Sequence, residues 1–134
     1  MDFKVKGGEK LRTTIAKKAS ETVIEAGDVV AINAGLIIKG VAASTKLAYC
    51  PNGAPAGTTD IEVTVGNGFT LIGTADANFA VTDKGAEVDL AGTTTPLIDL
   101  GASATDVFVV GISKTAGVAG STKNVEVKIN KYIF

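Results

Sequence analysis

The chain of 134 residues contains no histidine, no tryptophan and a single cysteine. Without histidine it lacks the commonest general base and the commonest metal ligand of proteins. One cysteine cannot form an intramolecular disulfide. No histidine or basic cluster flanks Cys50, so we expect a small buried side chain rather than a reactive thiol. The composition argues against an enzyme, and we predict no catalytic residue, no cofactor and no metal.

Aromatic residues are also scarce, at 5% of the chain, whereas apolar residues make up 46%. The core must therefore be built from Val, Ile, Leu and Ala. The positive mean hydropathy indicates that a partner or further copies cover part of the surface. No run approaches the length of a membrane-spanning helix, and the N-terminus has no apolar signal region. We expect synthesis in a reducing cytoplasm and no membrane partner.

Charge is distributed unevenly along the chain. Residues 1–20 carry six basic and two acidic residues, a net charge of +4, whereas the remainder carries a net charge of −5. The basic segment has little apolar surface with which to order itself. We predict an extended N-terminal arm over residues 1–20 and a single β-rich domain over residues 21–134. The residues of this arm expected to contact a partner are Phe3, Lys4, Lys6, Lys10, Arg12, Lys17 and Lys18.

From Thr22 onward, short β-compatible runs are separated by Gly, Asn and Asp residues. Residues 61–65 and 125–129 alternate apolar and polar side chains, as half-buried strands do. Strands at intervals of about 8–12 residues, without a long helix, predict an all-β fold, either a small β-barrel or a β-sandwich. Turns or hairpin corners are predicted at 26–28, 33–35, 66–68 and 83–85. The last strand ends on an apolar tail, which is a candidate oligomer contact formed by Tyr132, Ile133 and Phe134.

Several motifs resemble catalytic or ligand-binding motifs of other proteins, but we interpret them as ordinary strand and loop residues. Two carboxylate pairs occupy alternate strand positions: Glu87 with Asp89, and Asp60 with Glu62. Such pairs serve as acid and base in glycosidases, but alternation also places polar residues on every exposed face, and we interpret both pairs as solvated. Residues 117–123 contain glycines and a lysine, yet the order of lysine and hydroxyl residue does not match a phosphate-binding loop. With a net charge of −1 and dispersed lysines, the chain is not expected to bind nucleic acid.

Most of the chain resembles the small head decoration (cement) proteins of tailed bacteriophages. The resemblance lies in EAGDVVAINAGLIIKGVAA, DKGAEVDLAGTTT, VFVVGISKTAG and the closing NVEVKIN. In that family an AGD-V corner begins the body, and a KG-x-V hairpin lies near the middle. A GI-x-x-A run then precedes a terminal V-x-V-x-I/L strand.

The resemblance implies a fold of β-tulip or SH3-like barrel character and no catalytic site. It further implies a homotrimer on the outer surface of the virion, where an N-terminal arm contacts the major capsid protein and the body bridges capsomers.

Two other classes stay open. A non-catalytic adhesion or carbohydrate-binding β-module is one alternative, although its usual aromatic platforms would have to come from few residues, such as Tyr49 and Tyr132. The other is a lipoyl-type carrier, because residues 82–85 resemble the Asp-Lys turn of lipoyl domains, with Lys84 as the modified residue. In that family the turn precedes the Gly-Asp-Val segment, whereas here it follows.

Overall fold

In the residues that the computed structural model describes, 3–6, 12–19, 23–54, 57, 60–92 and 96–133, the chain forms eleven β-strands and one 3-10 turn. The prediction of an all-β fold is confirmed. The strands are β1 Lys4–Lys6, β2 Arg12–Lys17, β3 Asp28–Asn33, β4 Leu36–Lys39, β5 Ala48–Cys50, β6 Asp60–Val65, β7 Thr70–Gly73, β8 Glu87–Ala91, β9 Leu97–Asp99, β10 Phe108–Val110 and β11 Val125–Ile129, with the 3-10 turn at Val81–Asp83.

The strands form two antiparallel sheets. The first has six strands in the order β1-β7-β11-β10-β8-β9, and the second has five in the order β2-β6-β5-β3-β4. The edge strands of the second sheet are joined at one end by a parallel bridge between Lys18 and Ile37. Neither sheet is closed into a barrel, so of the two predicted architectures the structure is sandwich-like.

Two apolar clusters form the core. The larger cluster lies between the sheets and includes Leu71, Phe108 and Val127 of the first sheet and Val29 of the second. The smaller cluster lies on the opposite face of the five-stranded sheet. Its buried members are Ile24, Val30, Ile37, Ala48, Cys50, Ile61, Val63 and Val65. Because β3 is buried on both faces, its sequence is a continuous apolar run rather than an alternating one.

Turn chemistry positions the strands largely as predicted. Strands β3 and β4 form a two-residue hairpin in which Ala34 and Gly35 both have positive φ, 51° and 80°. A turn with positive φ at both central residues has a backbone twist that matches the right-handed twist of the two flanking strands. The prediction of a hairpin at 83–85 is wrong. A 3-10 turn precedes that corner, and the strand that follows, β8, pairs with β9 and β10 instead.

The predicted arm is wrong for the described part of residues 1–20. Strand β1 pairs with β7 at the edge of the six-stranded sheet, and β2 pairs with β6 at the edge of the five-stranded sheet. The β-branched residues Thr13, Thr14 and Ile15 favour a strand over a helix. Ala16 packs against the smaller cluster. The basic side chains made this segment look too polar to be a strand. It is nevertheless an edge strand that contributes Ala16 to the smaller cluster.

Candidate functional site

Two of the predicted contact residues, Phe3 and Lys18, are buried. Phe3 is 1% exposed, and its ring stacks on Phe108 with the centroids 5.6 Å apart. The carbonyl oxygen of Phe3 accepts a hydrogen bond of 3.2 Å from the Tyr49 hydroxyl. Lys18 is 0% exposed, and its Nζ donates to the Ala19 carbonyl at 2.8 Å. The structure therefore corrects the expectation that these two side chains face a partner.

Two further cations of the N-terminal segment are paired within the chain. Lys6 Nζ lies 2.7 Å from Glu126 Oε2, and Lys17 Nζ lies 3.0 Å from Asp60 Oδ1. The second pair is solvent-exposed on both sides, so it adds little to stability. The Lys6 pair differs because the Glu126 side chain is only 7% exposed.

Glu126 is the centre of a polar cluster that ties β1 to the interior of its sheet. Its carboxylate accepts hydrogen bonds from Lys6 at 2.7 Å, from Thr115 at 3.0 Å and from Ser113 at 3.1 Å. Burial by itself raises the pKa of Glu126, but the hydrogen bonds from Lys6, Thr115 and Ser113 outweigh it, and the pKa lies below its ordinary value. Glu126 is therefore charged at neutral pH and holds the N-terminal strand in place.

Lys4 and Arg12 have no such partner. Both side chains are exposed, and no ion pair among the described residues involves either of them. Lys4 begins β1 and Arg12 begins β2, so each lies on an edge strand of a different sheet. Lys10, also predicted as a contact, lies outside the described residues. The unpaired positive charges of β1 and β2 thus lie at one edge of each sheet.

The C-terminal tail packs on its own chain. Leu47 donates its N–H to the Lys131 carbonyl at 2.9 Å and accepts the Ile133 N–H at 3.2 Å. The side chain of Ile133 is partly buried against the smaller core cluster. Tyr132 is 42% exposed and stays a candidate contact. Phe134 lies outside the described residues.

Arg12 and Tyr132, from opposite ends of the sequence, meet at one surface cleft. The cleft has a volume of about 270 Å³ and includes the turn that follows β6. Arg12 lies opposite Val65, the last residue of β6, and the bridge between Tyr132 and Leu47 places the tyrosine beside β5. Because β5 and β6 are antiparallel neighbours, the two ends of the chain are brought to the same end of the sheet.

Three large aliphatic side chains are exposed on the loops at one end of the six-stranded sheet, which sequence reasoning did not identify. They are Val81 at 66%, Ile112 at 79% and Val118 at 67% exposure. Hydrogen bonds of 2.9 Å from Gly120 to Phe79 and 3.0 Å from Gly85 to Val110 join the loops that carry them. We call these three residues the apolar loop end. The available signal was an isolated apolar residue inside each glycine-, serine- or threonine-rich loop.

Asp89 is not on a solvated face as predicted. It is 6% exposed, and its carboxylate accepts backbone N–H groups of Ala104, Thr105 and Asp106 at 2.8–2.9 Å. Desolvation raises the pKa of Asp89, but these hydrogen bonds outweigh it and lower the pKa below the ordinary value. Asp89 therefore fixes the loop before β10 and serves the fold.

The prediction for Cys50 is confirmed. Its side chain is 0% exposed in the smaller cluster, and burial raises the pKa of the thiol, which keeps it protonated and unreactive.

Comparison with protein-family models, with curated proteins and with solved structures finds no match for this chain. Within the described ranges no group of His, Cys, Asp or Glu side chains is arranged to hold a metal ion. No helix in that part of the chain is long and apolar enough to cross a membrane.

Proposed function

We propose that this chain is a structural decoration protein of a bacteriophage head. In this role it binds the outer surface of the shell through the major capsid protein and stabilises the shell by bridging capsomers. It is made in the host cytoplasm, acts as a homotrimer on the virion, and catalyses no reaction. Its partner is a protein rather than nucleic acid or a membrane.

The observation that carries this proposal is the position of Lys4 and Arg12, the cations of β1 and β2 that form no ion pair within the described ranges. Lys4 lies on the edge strand β1, and Arg12 lies at the end of β2 opposite its bridge to β4. At these positions the outer backbone N–H and C=O groups of an edge strand can pair with an added strand. Positive side chains on an edge disfavour pairing between identical copies because like charges repel. The same charges favour and accelerate association with an acidic surface. The edges are therefore suited to a different, acidic protein.

The apolar loop end supports assembly into a trimer. Val81, Ile112 and Val118 lie on loops that hydrogen bonds join, and a contact between copies would remove their side chains from water. A trimer then presents each edge three times, so modest individual contacts give strong attachment.

One observation favours the alternative, a carbohydrate-binding module. The exposed ring of Tyr132 lies beside a cleft, as an aromatic platform for a sugar does. The described residues offer it no second exposed aromatic ring at that cleft, so we place this function second.

The two functions are separated by incubating the purified chain with undecorated phage heads and with an array of glycans. Co-sedimentation with heads, and no glycan signal, is the expected result. Deletion of residues 1–20 is unsuitable here, because it removes two strands together with the core residue Phe3. Substitution of exposed cations leaves the fold intact and is the appropriate perturbation.

A further inference from the structure

The cleft between Arg12 and Tyr132 has the composition of a carboxylate-binding site. Its lining consists of Arg12, Val65, Gly66, Asn67, Gly68 and Tyr132. Arg12 offers five N–H donors in a planar fork, Asn67 an amide NH₂ and Tyr132 a hydroxyl. None of the described residues that line it carries a carboxylate. Each polar side chain among them can thus donate to an anion, and one carries a permanent positive charge.

Backbone conformation keeps the cleft open. Gly66 has φ +81°, and a Cβ at that position would meet no atom within 4 Å. A ligand can therefore approach the main chain of the turn closely. The turn directly follows β6, whose last residue Val65 is paired with Arg12. This pairing fixes the backbone position from which the Arg12 side chain extends.

The opposite wall is also fixed in place. Tyr132 is bridged to Leu47, whose flanking hydrogen bonds to Lys131 and Ile133 measure 2.9 and 3.2 Å. The backbone of each wall is therefore held before a ligand binds, so the entropic cost of recognition falls mainly on the side chains.

We infer that this cleft binds the carboxylate of an aspartate or glutamate side chain on the protein partner. Arg12 takes the two carboxylate oxygens in bidentate geometry, and the Tyr132 hydroxyl donates the third hydrogen bond. The inference rests on the proposed function for the identity of the partner. It assigns Tyr132 to the partner rather than to contact between copies.

The test is a titration of the full chain, labelled with ¹⁵N, with N-acetyl-glutamate N-methylamide. The expected result is saturable shifts of the backbone amides of residues 66–68 and 132, with a dissociation constant of about 1–10 mM. N-acetyl-glutamine N-methylamide has the same shape without the charge and is expected to give no shifts. Inorganic phosphate distinguishes a carboxylate site from a general oxyanion site, and we expect it to bind more weakly than the glutamate derivative.

Variants assign the effect to the cleft. Arg12→Gln is expected to weaken binding at least fivefold, and Tyr132→Phe is expected to weaken it less. Lys4→Gln removes the other unpaired edge cation and is the matched control, expected to leave the titration unchanged. The inference is overturned if no shifts occur, if the glutamine derivative or phosphate binds as well as the glutamate derivative, or if the shifts survive Arg12→Gln.

The outcome is separable from that of the proposed function. Heads bound equally by the wild-type chain and by Arg12→Gln would leave the decoration role standing and reject the cleft as its contact. A titration that behaves as expected, with no binding to heads, would keep the carboxylate site and reject the decoration role.

Discussion

Phe3 and Gly73 are in direct contact: the Phe3 ring lies so close to the glycine that a methyl group there would be 2.7 Å from the ring carbon Cε2. Gly73→Ala therefore cannot be accommodated without displacing Phe3 from its stack on Phe108. We expect a loss of about 1–3 kcal/mol in the free energy of unfolding, measured by urea denaturation.

The control for this substitution is the same change in a Phe3→Ala background. Phe3→Ala should cost about 3–5 kcal/mol, because it empties a fully buried site. Once the ring is absent, Gly73→Ala should be neutral or slightly stabilising, since alanine restricts the unfolded chain. Equal costs in both backgrounds would show that the N-terminal residue is not docked against β7.

The lowered pKa of Glu126 predicts that the free energy of unfolding depends on pH. Its folded-state pKa lies below the ordinary value of 4.5, so it contributes stability above that value, and this stability is lost as the pH falls through the folded pKa. Glu126→Gln should lower the free energy of unfolding at pH 7 by about 1–3 kcal/mol, because Lys6, Thr115 and Ser113 lose a charged acceptor. The difference from the wild-type chain should shrink at pH 3.

Asp89, whose pKa is also lowered, is unchanged in the Glu126→Gln variant and continues to contribute acid sensitivity. The diagnostic quantity is therefore the difference between the two proteins at each pH. A difference that is the same at pH 7 and pH 3 would contradict the role given to the Glu126 carboxylate.

The β3–β4 hairpin can be stabilised by one substitution. Ala34 has φ 51°, a left-handed conformation that costs alanine roughly 1–2 kcal/mol and that asparagine tolerates well. Ala34→Asn should raise the free energy of unfolding by about 1 kcal/mol, seen as a higher thermal midpoint. Gly35→Ala, at the adjacent position with φ +80° and open space, should lower it by a similar amount. A lower midpoint for Ala34→Asn would contradict this turn geometry.

The sequence predicted the strands best where local chemistry decides the structure. Alternation in 61–65 and 125–129 became β6 and β11, and the Asn33 to Gly35 signal became a hairpin. These features depend on neighbours a few residues apart, which the sequence displays directly.

Features that depend on distant residues were not predictable. Phe3 is buried because Phe108 and Gly73 form its site, more than sixty positions away along the chain. Lys6 is paired by Glu126, and no local pattern distinguishes it from the unpaired Lys4. The cleft likewise needs Arg12 and Tyr132 together, which only the sheet order provides.

Assembly through the apolar loop end is tested by Ile112→Lys. The side chain is 79% exposed, so the substitution should not affect folding, but it places a charge in the proposed contact between copies. Analytical ultracentrifugation should show a trimer for the wild-type chain and a monomer for the variant. Ile15→Lys, at a 61% exposed position on β2, is the matched control and should remain trimeric. A trimer that persists in Ile112→Lys would place the contact elsewhere.

The central claim is that unpaired cations on the two edge strands attach this chain to an acidic phage shell. The most direct measurement is equilibrium binding to undecorated heads, compared between the wild-type chain and the double variant Lys4→Glu/Arg12→Glu. Lys46→Glu/Lys123→Glu reverses the same amount of exposed charge elsewhere and serves as the control. We predict that the edge variant binds at least about tenfold more weakly, that the control binds like the wild-type chain, and that added salt weakens the wild-type interaction. Equal binding by the edge variant and the wild-type chain, or no binding by either, would contradict the claim.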